Sequence, residues 1–176
     1  YANKNNYSTP GRLKCNLNVA NFGQYISGYG LFRVDDPSGA FHVVGGQQRT
    51  LEPGSLDYAK EAFKRSLSNS VDGITGQQLP TFGKSTKTSI DLAVGNSYGI
   101  YMTPNRILNA SSQIKDLSTF IFSIKEANSN KQHMHVSMGT GYFSFEEKGL
   151  TPSLSDNDYN DLQFYIEPLS SSNTLA

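Results

Sequence analysis

Acidic side chains are sparse in this chain but crowd into one stretch. Of only 15 Asp and Glu residues, Glu146, Glu147, Asp156, Asp158 and Asp161 lie close together, with Asn157 and Asn160 among them. Gathered in a partly buried site, such carboxylates repel strongly unless a counterion sits between them. A hard divalent cation removes that cost. Ca2+ takes about six to eight oxygens from carboxylates, amide carbonyls and backbone carbonyls. Alternate residues of an extended segment point the same way, so Asp156, Asp158 and Asn160 are expected to converge. Asp161 needs a bulge or bend to join them. Glu146 or Glu147, from across a hairpin, would complete the shell. The D-x-D-x-N spacing resembles the opening of an EF-hand, but the required Gly and the twelfth-position Glu are missing. Two other readings stay open: a solvated loop using Asp and Asn as turn formers, and a glycosidase acid–base pair. The latter needs a sugar cleft, usually with Trp, and the chain has no Trp.

Other residues invite weaker chemistry. His133 and His135 share a strand face by spacing, with His42 elsewhere, and two imidazoles so placed can hold Zn2+ or Cu2+. No third ligand is visible, and surface or hydrogen-bonding roles suffice. Asp35 and Asp36 before Pro37 read most simply as a type I turn. Tyr25, Tyr29, Tyr98 and Tyr101 would make a sugar-stacking platform if exposed, or core packing if not. Asn6 and Asn109 fit the short glycosylation pattern. Cys15 is the lone cysteine, so no intrachain disulfide exists, and in LKCNLNV it fits an inward-facing small hydrophobe. No Ser-His-Asp order, nucleophile elbow or reactive-cysteine context appears, so no enzymatic activity is expected.

The elements that would position these residues are mostly strands. Period-two stretches or short apolar runs occur at Leu13–Asn18, Tyr29–Val34, Ala40–Val44, Ser89–Val94, Tyr98–Thr103, Thr119–Lys125, His133–Met138, Gly141–Phe145 and Leu162–Ile166. Gly, Pro, Asn and Asp clusters punctuate them. This pattern predicts a mainly β fold, a β-sandwich or jelly-roll-like domain. One helix is expected over about residues 55–68, capped by Ser55, with Leu56, Ala59, Phe63 and Leu67 on one stripe. It is expected to pack on the edge or end of the sandwich. Residues 1–176 read as a single domain, with 1–12 an N-terminal extension and 169–176 a C-terminal tail.

Fifteen Lys and Arg balance the 15 acids, so the net charge is zero and mean hydropathy is −0.46. That disfavours nucleic-acid binding, which needs a basic face, and a polybasic membrane-surface module. No run of about 18 apolar residues exists to span a membrane. Low charge with abundant Ser, Asn, Thr, Gly and Tyr suits an extracellular or cell-surface β-protein, a cytosolic β-domain being the alternative. The chain opens on Tyr1 with neither Met nor an apolar signal region, as a processed or trimmed chain would.

FSFEE followed by SDNDYNDLQF resembles the signature of the bacterial domain of unknown function 4114 family. YGLFRVDDPSGAF, LEPGSLDYAKEAF and HMHVSMGTGYFSFEE are similar to stretches upstream of that signature, so the resemblance spans roughly residues 20–168. It implies an extracellular calcium-binding β-sandwich without known enzymatic activity, often part of large adhesins. It implies Glu146, Asp156, Asp158 and Asp161 as ligands, with Glu147 and Asn160 supporting. Glu147 stands where the family has Asp, and the loop KGLTPSLS is longer and less Gly-rich. The expected function is a non-catalytic, calcium-stabilised structural or adhesive module at the cell surface. The rival is a calcium-dependent, lectin-like glycan binder. The expected partners are copies of itself, other surface proteins or glycans. Leu13, Cys15, Leu17 and Val19 alternate as a donated strand would, which raises a filament subunit, and equally as an ordinary intramolecular strand.

Overall fold

The computed structural model describes residues 11–23, 26–43, 49–67, 73–128, 134–137, 142–146 and 161–169, with the backbone alone for 73–78 and 134–137. The strands are β1 (Arg12–Asn21), β2 (Gly28–Val34), β3 (Phe41–Val43), β4 (Arg49–Leu51), β5 (Gly73–Gln78), β6 (Lys84–Ala93), β7 (Ser97–Thr103), β8 (Ile121–Phe122), β9 (Met134–Ser137), β10 (Tyr142–Phe145) and β11 (Leu162–Pro168). A single α-helix, α1, runs over Leu56–Ser66. The first sheet has the order β6-β1-β11-β10-β9, the second β5-β2-β7-β8, and β3 and β4 form a separate hairpin. Every pairing is antiparallel. The fold is mainly β, as the sequence predicts.

Two apolar cores share the second sheet. Between the sheets, Cys15, Leu17 and Val19 of β1 and Leu162 and Phe164 of β11 meet Tyr29 and Leu31 of β2 and Ile100 and Met102 of β7. On the far face of the second sheet, Phe32, Tyr101 and Phe122 pack against Tyr58, Ala59, Ala62 and Phe63 of α1 and Phe41 of β3. The sandwich therefore carries a third layer. The helix covers the outer face of the second sheet rather than an edge or end. β2 and β7 explain why: apolar side chains leave both faces of these strands, so each face needs a cover.

Local chemistry agrees with this placement. Ser55 Oγ accepts the Tyr58 backbone N–H at 3.1 Å, the cap the sequence predicts. Asp57 lies in the first turn and Lys64 and Arg65 in the last, complementing the helix dipole. The buried stripe is Tyr58, Ala59, Ala62, Phe63 and Ser66, rotated slightly from the expected one. Arg65 bolts the helix down. Its guanidinium donates to both Asp35 carboxylate oxygens at 2.8 and 2.7 Å, to Glu61 at 3.0 Å and to the Arg33 carbonyl at 3.1 Å, and lies 4.4 Å from the Phe41 ring centre. Asp36 holds the expected turn, its Oδ1 accepting the Ser38 and Ala40 N–H groups.

Cross-strand glycines make room for the aromatic cluster. Gly30 pairs with Tyr101, and Gly99 with Phe32. A Cβ on either glycine would run into the facing ring. Neither ring can retreat: Phe32 and Tyr101 stack with centroids 6.1 Å apart, and Phe32 meets Phe41, Tyr58 and Phe122 edge-on.

β1 is hydrogen-bonded on both sides within the chain, to β6 and β11. Leu13–Val19 is thus an intramolecular strand, and the donated-strand pattern finds its partner at home. Cys15 faces the core, as expected, and its thiol pKa is raised by burial and by Asp91. The Thr119–Lys125 strand shrinks to the two residues of β8, because short 3-10 turns at Leu117–Thr119 and Lys125–Asn128 flank it.

Gly99→Ala is expected to cost about 1–3 kcal/mol by overpacking, read as a lower urea midpoint with an unchanged slope; an unchanged midpoint would show that the ring can move aside. For the helix bolt, Asp35→Ala should cost about 1–3 kcal/mol, because it removes the two-pronged partner of a largely buried guanidinium that keeps Glu61 and the Arg33 carbonyl. Arg65→Lys, which keeps the charge and loses the fork, should cost about 1–2 kcal/mol. The Arg65 hydrogen bonds hold the Asp35 carboxyl below the usual range. Its contribution is therefore complete above the unfolded-chain value of about 3.9 and is lost as pH falls through the lower folded value. The difference in stability between wild type and Asp35→Ala should shrink across that acid window and stay flat from there to neutrality.

Candidate metal centre

The last pairs between β10 and β11 are Phe143↔Phe164 and Phe145↔Leu162, whose side chains join the inter-sheet core. Glu146 and Asp161 are the next residue on each strand. Register thus sets two carboxylates at the same end of two hydrogen-bonded neighbours. Strict alternation would turn them away from the core, yet Glu146 is 2% and Asp161 8% exposed. A buried carboxylate needs a proton, hydrogen bonds or a cation to be tolerated. Of the two glutamates at this position, Glu146 is the one described, and it turns inward.

The backbone fixes Asp161 from a third strand. The chain leaving β1 folds across the start of β11, and both the Phe22 and Gly23 N–H groups donate to the Asp161 carbonyl at 2.9 Å. The chain bends at Asp161. Asn21 holds the crossing in place. Its side chain donates to the Pro80 carbonyl at 2.7 Å and accepts the Gly23 N–H at 2.9 Å, while its own carbonyl accepts the Gly83 N–H at 2.7 Å. Asn21 is a positioning residue that the sequence reading passed over. The signal was the Asn-Phe-Gly turn closing an alternating strand.

Glu147, Asp156, Asp158 and Asn160 lie outside the described residues. Among the described residues no group of three or more His, Cys, Asp and Glu gathers. Register sets Glu146 and Asp161 just beyond the Phe145–Leu162 pair, at the ends of adjacent strands, and carboxylates are the hard oxygen donors that Ca2+ takes. His133 is likewise outside the described residues, and His135 lies opposite Ser144 in the β9–β10 register. His42 Nε2 stands 3.2 Å from Asp36 and its Nδ1 3.3 Å from the Thr50 hydroxyl, at the exposed β3–β4 hairpin far in sequence from the acids.

Tyr29 and Tyr101 are buried and take no part in a surface platform. Tyr29 is buried between the sheets, where burial pushes its hydroxyl pKa up to about 12. Tyr101 is buried on the opposite face of the same sheet, its hydroxyl 2.7 Å from Ser66 Oγ. The Tyr98 hydroxyl accepts the Ala93 N–H at 2.8 Å. Tyr25 lies outside the described residues.

The fold and the paired acids define a class: an antiparallel β-sandwich whose first sheet ends in an acid-bearing hairpin. Residues 92–168 match the family model described as a domain of unknown function (DUF4114), and the chain resembles that family over this stretch. The match takes in β7 through β11 and the whole acidic segment. It leaves out the upstream stretches YGLFRVDDPSGAF and LEPGSLDYAKEAF, which form β2 with its turn and α1. No curated protein and no solved structure matches the chain.

Asn21→Ala is expected to lower stability by about 2 kcal/mol, since it leaves buried main-chain groups without their side-chain partner. Amide exchange at Gly23 should accelerate beyond the global change. Uniform acceleration over the whole sheet would instead mean that Asn21 supports general stability and not this crossing.

Proposed function

We propose that the chain is a non-catalytic, calcium-stabilised structural or adhesive module of an extracellular or cell-surface protein. The burial of Glu146 and Asp161 side by side at the two ends of one acidic segment carries this reading. Ca2+ held there would tie β10, β11 and the Asn21–Gly23 crossing to the intervening loop. Glu147, Asp156, Asp158 and Asn160 would supply the further oxygens. The cation's role is electrostatic: it lets several carboxylates occupy one place and makes the closed loop the lower-energy state. A stiffening ion suits a chain with a single cysteine and so no intrachain disulfide. Tyr29 and Tyr101 lie in the cores, so neither can serve a glycan platform. The low charge and the high Ser, Asn and Thr content support an extracellular setting.

A ligand that binds only the folded state adds RT ln(1 + [L]/Kd), about 4 kcal/mol at a thousandfold excess over Kd. For a chain of this length that corresponds to roughly 10 °C in Tm. Saturating Ca2+ should therefore raise Tm by about that much over EDTA, and Asp158→Ala and Asp161→Asn should each abolish most of the rise. Identical melts in Ca2+ and EDTA would remove the calcium reading.

A further inference from the structure

We propose that Asn109 is an acceptor for an N-linked sugar, held ready by a closed turn in the β7–β8 connection. Two stretches of the chain, Asn6-Tyr7-Ser8 and Asn109-Ala110-Ser111, have the Asn-x-Ser pattern with no proline in the middle. Short patterns of this kind arise by chance, so access and geometry decide whether one is used. Asn6 lies outside the described residues, whereas Asn109, Ala110 and Ser111 are all exposed. The neighbouring Leu108 is buried in the core between the second sheet and α1, and it fixes the loop to the body of the domain. The Ser112 N–H donates to the Asn109 carbonyl at 2.9 Å, and the Asn109 N–H donates to Ser112 Oγ at 3.0 Å. The Asn109 side chain folds over the same turn. Its Oδ1 accepts the Ser111 N–H at 3.0 Å and the Ser111 hydroxyl at 2.6 Å, with the Ser112 hydroxyl at 3.4 Å. A backbone N–H can only donate, so the atom it meets is the amide oxygen, and Nδ2 is the outward end. Nδ2 makes no hydrogen bond to any described residue.

This arrangement bears on the reactivity of the amide. An amide nitrogen is a poor nucleophile because resonance draws its lone pair into the carbonyl. Negative charge collects on Oδ1 as Nδ2 gives up a proton, and two donors from Ser111 already point at that oxygen. They lower the cost of the deprotonated form as an oxyanion hole does. The co-substrate is a sugar activated as a diphosphate ester, carried on a nucleotide or on a lipid. Nδ2 attacks the anomeric carbon, and a C–N bond forms there. The C–O bond to the diphosphate breaks, and its electron pair leaves with the phosphate oxygen. One Nδ2 proton passes to a base of the transferring enzyme. A sugar on this exposed turn displaces no packed side chain. The inference needs no calcium, and it stands or falls separately from the metal reading.

The test has two arms. In the first, the full chain is isolated from the cells that make it, and the peptide containing Asn109 is sequenced by mass spectrometry. A glycan on Asn109 is expected; a single hexose points to a nucleotide-linked donor and a preassembled oligosaccharide to a lipid-linked one. An Asn109 found only bare, or a sugar on Ser111 instead, would overturn the proposal. In the second arm, the folded chain is incubated with a soluble N-glycosyltransferase and UDP-glucose, and transfer to the same peptide is timed. Ser111→Ala should slow transfer by about a hundredfold, since it removes a donor to Oδ1. Ser112→Ala keeps the Asn-x-Ser pattern but loosens the turn, and should slow transfer by about fivefold. Absence of transfer to the folded wild type would overturn the proposal. Equal rates for wild type and Ser112→Ala would overturn it too, by showing that the pattern acts without the turn.

Discussion

The second sheet is buried on both faces, and most of the molecule is arranged to satisfy that constraint. A strand with apolar groups on two sides cannot end a sandwich, so β2 and β7 require one cover from the first sheet and another from α1 and the β3–β4 hairpin. The aromatic cluster of Phe32, Phe41, Tyr58, Tyr101 and Phe122 fills the second gap. Rings this large fit between neighbouring strands only where the facing residue has no side chain, and Gly30 and Gly99 meet that need at the cross-strand positions. Arg65 then fixes the helix from its polar flank. Burial works against its charge, but the Asp35 and Glu61 carboxylates outweigh that and raise its pKa above the usual value. Apolar burial supplies the attraction between helix and sheet, while the guanidinium fork selects one docking angle.

The first sheet has a freer task, and the candidate site belongs to it. Its core face is apolar and its edge strand β6 is largely exposed, with Lys84 and Lys87 along it, a composition that discourages pairing with another sheet edge. Lys87 donates to Glu167 at 2.9 Å, and Asn16 donates to the same carboxylate at 3.3 Å, linking β6, β1 and β11 on the outer face. Strand ends on such a sheet can carry loops of varied length without disturbing either core. That is where the acidic segment is inserted, between the end of β10 and the start of β11.

Legibility followed burial. Strands with one clean apolar face, such as β1, β10 and β11, were visible in the alternation of Leu17 and Val19 or of Phe143 and Phe145. The first half of β6, Lys84–Thr88, has no apolar residue, because it is an edge facing water, and periodicity could not reveal it. β4 is only three residues long, and β5 carries two glycines and two glutamines among its six residues. Thr119–Lys125 misled in the opposite sense: Phe120, Ile121 and Phe122 are buried through two tight turns around a two-residue bridge, not through an extended strand. Ser55 announced the helix start, but nothing local in α1 says which surface it covers. That information sits in β2, whose run of consecutive apolar residues marks burial on both faces. In the acidic segment, residue type and spacing pointed to Asp161 and to one of Glu146 and Glu147 without choosing between the two. Asn21 escaped because its role is tertiary, a single amide bridging two turns that are nearly sixty residues apart.

The pairing of Glu146 with Asp161 is a by-product of apolar register. Phe143 and Phe145 on β10 and Leu162 and Phe164 on β11 all project into the inter-sheet core, and because side chains alternate, only one alignment places all four inside. A slip by one residue would flip one strand, turning Ser144 of β10 or Gln163 of β11 inward and withdrawing that strand's apolar pair from the core. The core therefore decides, before any ion is present, that the two acids stand opposite each other. The Asn21 crossing adds the third side by pinning the Asp161 carbonyl to Phe22 and Gly23. On the proposed calcium reading, two of the donors would be held by packing before the ion binds.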